Sequence, residues 1–365
     1  MNNKLSTVAG IALAALSVSA HADSGSSVTL WGVMDAGITA VSNVKGGHAY
    51  VMDTGIASPD LWGIRGSEDL GGGTRAVFEL VDQFNGGTGA IFPTNGGALF
   101  GRNAYVGLDN DRLGKLTLGE QYDFMIDSLL RFDNSIYVAG LYGFREGPFS
   151  KLGIPGNASG DANFDRMSGT AMSNTVKYTS VNYDGFRFGA MYSFGGVAGS
   201  VAADNGESFG VNYAYGPFSF GLAYTDQRYA ALDNGLGSIR NFGGGAAYQL
   251  GKAAFNVLYT NTKNTANGAT INVYQIGARY NVTPALSFGG DYELMKGNAA
   301  LANDKANQFS LGARYSLSKR TLVYAEGVYQ KVSGDDNPQA QIMDVASPSS
   351  SDKQLLARIG IEHKF

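Results

Sequence analysis

Three features of the 365-residue sequence predict an all-β fold, a transmembrane antiparallel up-and-down β-barrel of sixteen strands. Apolar and polar residues alternate with a period of two through most of the chain. The alternating segments are joined by connections that are short and long in turn. The composition is rich in Gly (52) and in Tyr and Phe (20 each), while charged residues make up only 16%, against the ~25% of ordinary globular chains. The same composition excludes other classes. Without Cys there is no disulfide framework and no Cys-ligated zinc, and a hydrophobic share of 44% is too high for a disordered chain. Beyond the N-terminus no stretch approaches the ~18 apolar residues of a membrane helix. A net charge of −4 with no basic block argues against a nucleic-acid partner.

Met1 to Ala22 reads as a secretory signal peptide. Lys4 supplies the basic start, Leu5 to Ala20 the apolar stretch, and Ala20-His21-Ala22 the small-residue cleavage pattern. Cleavage before Asp23 leaves 23–365 as one barrel domain.

The alternation is plainest near the C-terminus. Phe309, Leu311, Ala313, Tyr315 and Leu317 are apolar, whereas Gln308, Ser310, Gly312, Arg314 and Ser316 between them are small or polar. Leu286 to Leu294, Phe186 to Phe194 and Phe218 to Tyr224 repeat the pattern. Successive side chains of a strand point to opposite faces, so each segment has one aromatic–aliphatic face and one face of Gly, Ser and charge. Sixteen such segments are expected. They begin with Val28–Ala40, Leu61–Glu68, Thr74–Gln83, Phe100–Asp109, Lys115–Tyr122 and Thr175–Ser180. Phe186–Phe194, Glu207–Tyr215, Phe218–Asp226, Ser238–Gln249 and Ala253–Thr262 follow. The series ends with Thr270–Asn281, Ala285–Met295, Gln308–Leu317, Thr321–Val332 and Gln354–Phe365. Their lengths suit the ~9–11 residues of a tilted membrane-crossing strand. Short turns such as Gly71-Gly72-Gly73 and Gly216-Pro217 alternate with long loops such as 85–98 and 333–353, the asymmetry of membrane barrels. A sandwich would explain the alternation but not Arg, Asp and Glu in mid-strand beside excess Gly. A barrel of sixteen strands leaves an aqueous lumen that such residues can line.

Several ordered motifs resemble one family. Ser27 to Ile38 is similar to its first strand. Trp62-Gly63-Ile64-Arg65-Gly66-Ser67-Glu68-Asp69-Leu70-Gly71-Gly72-Gly73, Phe100 to Leu108, Asn174 to Tyr178 and the terminal Phe365 match further motifs. The chain thus resembles a Gram-negative general porin of the beta-proteobacterial type, a sixteen-stranded trimeric channel. The resemblance implies passive diffusion of small hydrophilic solutes and ions through the lipid bilayer of the cell outer membrane. It also implies a homotrimer, no reaction and no cofactor. A channel specialised for aromatic acids or sugars is the alternative.

The longest connection, 123–173, stands where this family folds its third loop into the lumen as a constriction. Its acids are Asp123, Asp127, Asp133, Glu146, Asp161 and Asp165, interspersed with Arg131, Arg145, Lys151 and Arg166. Asp127 and Asp133 are expected at the pore. The family's opposing ladder of arginines is incomplete here. Asp60-Leu61 replaces Ser-Arg, Arg102 is retained, and Gly119-Glu120-Gln121 carries Glu in place of Arg. Arg65 and Lys177 are expected as neighbours on the wall. The reversal at Glu120 predicts a mild cation preference, because a narrow low-dielectric pore focuses its wall charges. Gly71-Gly72-Gly73-Thr74 is a turn rather than a phosphate cradle, since no helix follows. His48, expected in the first long loop, and His363 lack a third partner for a catalytic metal.

Overall fold

A computed structural model describes residues 25–92 and 97–365; the leader sequence lies outside the described residues. Seventeen strand segments form one sheet. They are β1 Ser27–Val44, β2 Gly47–Thr54, β3 Leu61–Gly71, β4 Thr74–Gln83, β5 Asn103–Asn110 and β6 Gly114–Tyr122. Next come β7 Ala171–Thr179, β8 Phe186–Ser193, β9 Gly206–Tyr215, β10 Phe218–Arg228, β11 Ser238–Leu250 and β12 Ala253–Asn264. The last are β13 Thr270–Asn281, β14 Leu286–Gly297, β15 Lys305–Ser316, β16 Thr321–Ser333 and β17 Lys353–Lys364. Each pairs antiparallel with its neighbours, and β17 returns to β1 in register from Val33↔Lys364 to Val41↔Leu356. The sheet is closed, so no unpaired edge meets lipid.

The seventeen segments occupy sixteen places. β2 pairs with the upper half of β1 (Ala36–Val44) and β3 with the lower half (Ser27–Val33), so the two share one position in the wall. His48 therefore lies in a strand rather than the expected loop. Between β2 and β3, residues 55–60 turn inward. Asp35 holds this excursion, its carboxylate accepting the amides of Ile56 (2.8 Å) and Ala57 (3.1 Å). Asp60 in turn accepts the amides of Asp35 (2.7 Å) and Gly86 (2.9 Å). Asp60 is fully buried, a cap for backbone donors rather than a pore charge.

Outward rows are apolar and open: Leu30, Ile38, Leu222, Val257, Ile276, Leu311 and Ile359 are each more than half exposed. A continuous belt of this kind needs lipid or another subunit to cover it. The inward rows carry Asp35, Thr39, Ser208, Asn241, Thr260, Gln275, Glu293, Gln308 and Arg358, all buried. The largest apolar clusters thus lie inside the barrel, where the β6–β7 connection fills part of the lumen.

Candidate permeation pathway

Residues 123–170 leave β6, cross the lumen and return at β7 in short helical turns, among them Met125–Leu129 and Ser135–Val138. Phe124, Met125, Leu129 and Phe132 are buried against Met172, Met191, Ala223 and Leu258 of the wall. The sequence makes room for them. Inward positions of β8–β11 and β13–β15 are Gly at Gly189, Gly210, Gly221, Gly245, Gly277, Gly289 and Gly312. A Cβ at Gly221 would lie 2.6 Å from the Ser128 carbonyl oxygen, and one at Gly245 2.6 Å from Phe132 Cβ. At Gly277 it would strike Asn134, and at Gly289 and Gly312 it would strike Val138.

Wall side chains also satisfy the loop's backbone, which is cut off from bulk water. Ser208 Oγ accepts the Phe124 amide (3.0 Å), and Asn212 donates to the Ser128 carbonyl (2.8 Å). Asn241 and Thr262 donate to Phe164 (2.9 and 3.1 Å), Asn264 to Leu152 (2.8 Å) and Gln308 to Gly143 (2.9 Å). In return, Asn134 of the loop donates to the Gly290 carbonyl (2.8 Å).

Arg145 ties the loop down electrostatically. Its guanidinium is fully buried and pairs with Asp133, with Asp165 (3.5 Å) and with Glu293 of β14 (2.6 Å). Gln275 of β13 bridges Asp133 (2.9 Å) and Glu293 (2.7 Å). A second buried cation, Arg358 of β17, gathers Asp35 (3.0 Å) and Asp53. Nearby, the 139–142 stretch packs on Ile56, Val328 and Leu356, with Ile342 and Val345 from the β16–β17 loop. At the level of these ion clusters the loop packs on the β1 and β8–β17 sides, and open space remains along β3–β7; a separate 680 Å³ cavity lies among the long loops, between 147–161 and 336–348.

Three cavities follow that open side. A 480 Å³ vestibule at the long-loop end is bordered by Gln83, Arg102, Asn163, Arg166 and Tyr229. It shares Arg102, Leu141, Ser168 and Gly169 with a 160 Å³ space beneath it. That space meets, at Tyr122, a 140 Å³ cavity opening toward the short turns, with Glu79, Tyr105, Asp127 and Lys177 on its border.

The residues expected at the pore separate into distinct environments. Arg65 is exposed on the inward row of β3, opposite Glu79 in register. Arg102 borders two of the cavities but is itself held, by Gln83 (2.6 Å), Tyr122 (3.3 Å) and the carbonyls of Ser168 and Gly169 (3.2 Å each). Gly169, with φ +106°, leaves no room for a side chain there. Asp127 is exposed and pairs with Lys177 (2.6 Å) in the lower cavity. Asp133, by contrast, is fully buried at Arg145.

Glu120 sits on the other face of the wall. Thr117 and Gln121 bond each other inside (2.5 Å), which puts Glu120 on the row of Leu116 and Leu118, both half-exposed outward. A bulge lies opposite it in β7, where Ser173 and Asn174 stand between the pairings Gly119↔Thr175 and Gln121↔Met172. The Glu120 carboxylate is hydrogen-bonded by the Ser173 side chain. Its charge does not enter the lumen, so the expected cation preference loses its basis.

Sequence reasoning named Arg145 only as one of the loop's interspersed cations, and it gave no place to the inward 55–60 excursion or to three wall arginines, Arg187, Arg279 and Arg314. The last three stand two residues toward the short-turn end from Gly189, Gly277 and Gly312, directly below the loop. Arg279 stacks on Tyr137 (3.7 Å to the ring centre), and Arg314 donates to the Ile136 carbonyl (2.9 Å). The recurrence of inward Gly on strand after strand is the signal that could have located this level.

A closed sixteen-place barrel with apolar outer rows, a polar inner wall and a loop narrowing its lumen defines a water-filled membrane channel. The family model described as Gram-negative porin matches residues 9–336, and the chain belongs to that family. An outer membrane porin protein of Bordetella pertussis is 30% identical, over 90% of this chain and 94% of its own length. Outer membrane porin protein 32 of Delftia acidovorans is 30% identical, over 97% and 99%. Among solved structures, an anion-selective porin from Comamonas acidovorans superposes with a TM-score of 0.78 at 26% identity, over 93% of this chain and all of that one. The trimer form of OmpT from Vibrio cholerae shares the fold at 15% identity, with a TM-score of 0.63 over 93% of this chain. The protein is a general, non-enzymatic porin of the outer membrane.

Proposed function

We propose that this porin passes small hydrophilic solutes and ions by passive diffusion along the β3–β7 side of its lumen, with a preference for anions. The observation that carries the preference is the balance of charges left unpaired. Asp133, Asp165 and Glu293 surround Arg145, Asp35 and Asp53 surround Arg358, Asp123 meets Arg166, and Asp127 meets Lys177. Among the described residues, Arg65, Arg187, Arg279 and Arg314 make no ion pair of this kind, and they outnumber the inward carboxylates likewise without one, Glu79 and Asp291. A positive field in a narrow aqueous passage raises the local anion concentration. The anion-selective relative from Comamonas acidovorans supports the same sign. The constriction is formed by Arg102, Asp127, Lys177 and the neighbouring loop, with Arg65 on the wall below. Residues 1–22 act as a cleaved export signal, and the chain assembles as a homotrimer through its apolar outer rows.

The test is a reversal potential in a KCl gradient across a planar bilayer. The anion sign is expected, moving toward cations in Arg279→Ser and unchanged in Glu120→Gln. A cation sign in the unaltered protein would overturn the preference, as would a larger shift from Glu120→Gln than from Arg279→Ser.

A further inference from the structure

The middle cavity differs in chemistry from the two it connects. Its border is Ile56, Leu61, Ile126, Leu130, Leu141 and Phe144, with the Arg102 and Tyr122 side chains at its edge. Two features of the wall produce it. Asp60 is taken up in capping the amides of Asp35 and Gly86, and Asp35 holds Ile56 inward by its amide (2.8 Å), where the Ile56 carbonyl accepts the Leu141 amide (2.7 Å). Leu61 stands on the inward row of β3 and borders this space together with Ile126 and Leu130 of the loop.

We infer that this apolar neck selects small anions with a flat hydrocarbon body, aromatic monocarboxylates in particular; the inference rests on the porin reading above. A well-hydrated ion gains nothing from a hydrocarbon wall and must keep or shed its water there, which is how apolar constrictions resist ions. A solute carrying a ring removes apolar surface from water as it enters and is favoured. The 160 Å³ volume matches one ring, being close to the ~150 Å³ of an engineered apolar cavity that binds benzene. Charge selects the sign of the solute. Arg102 lies at the upper edge of the neck, and its partners Gln83, Tyr122 and the carbonyls of Ser168 and Gly169 are all neutral, so its positive charge stays uncompensated there.

The experiment is a bi-ionic reversal potential across a planar bilayer, sodium benzoate against sodium chloride, using the full-length porin. In a neutral water-filled pore benzoate is the less permeant, following its lower mobility. The neck predicts a benzoate-to-chloride permeability ratio above the ratio of their aqueous mobilities. It also predicts a several-fold fall of that ratio in Leu61→Ser and, independently, in Ile126→Ser. A ratio that follows mobility, or one that both variants leave unchanged while still conducting, would overturn the inference and leave the porin reading intact. Absence of any conducting step from the unaltered protein would overturn both.

Discussion

At the scale of single residues, burial decides which charges act. Asp127 and Asp133 belong to the same loop, yet Asp127 is exposed beside Lys177 and Asp133 is sealed beneath Arg145. Nothing local to either residue distinguishes them. The difference is made by Glu293 and Gln275, which come from the far wall. Loop anchoring therefore concentrates on Arg145, because its removal leaves carboxylates buried without a counter-charge. Breaking a buried pair in this way costs ~3–5 kcal/mol. Arg145→Ala is expected to lower the urea midpoint of unfolding and to expose residues 123–170 to protease in the folded barrel. Unchanged midpoint and unchanged cleavage would mean that the loop is held by its apolar contacts alone. Glu120 teaches a related lesson. Composition and family pattern mark it as a charge reversal, but strand parity settles which side of the wall feels it.

At the scale of elements, the period of two made the strands readable, because each inward row is Gly and polar and each outward row aromatic or aliphatic. β2 escaped notice since Tyr50, Val51 and Met52 are consecutive and all exposed, which erases the alternation. The 55–60 excursion was illegible for another reason: its path depends on Asp35 and Asp60, whose backbone contacts no pattern reveals. The packing of the long loops was equally hidden. Glu146 of the β6–β7 loop accepts a hydrogen bond from Gln341 of the β16–β17 loop (2.8 Å), and Asp161 accepts the Phe149 amide (2.9 Å). Burial raises both carboxyls, Glu146 to about 8 and Asp161 to about 7, from ordinary values of 4.5 and 3.8. The folded packing therefore binds protons that the opened loops would release. Stability from this contact is highest below the ordinary values of 3.8 and 4.5, falls as pH rises toward about 7 and 8, and levels off above them, where the buried carboxylates carry charge. Hydrogen exchange, corrected for its intrinsic pH dependence, is expected to be faster in 334–352 at pH ~9 than at pH ~6. Equal protection at both values would remove Glu146 and Asp161 from the loop's stability.

At the scale of the whole molecule, the barrel separates two solvents and the loop divides what is left inside. Gly on the β8–β15 wall admits the loop, Arg145 and Arg358 seal their sides with buried ion clusters, and the open passage is pushed against β3–β7. In the proposed passage solutes travel past Leu61 and not behind the loop. Because the chain contains no Cys, single substitutions can report this directly during bilayer recording with a charged thiol reagent added from one side. Modification of Leu61→Cys is expected to reduce the open-channel current, while Ser310→Cys, buried on the wall behind the loop, is expected to be unaffected. Current loss at Ser310→Cys with none at Leu61→Cys would contradict the account and place the passage on the opposite side of the lumen.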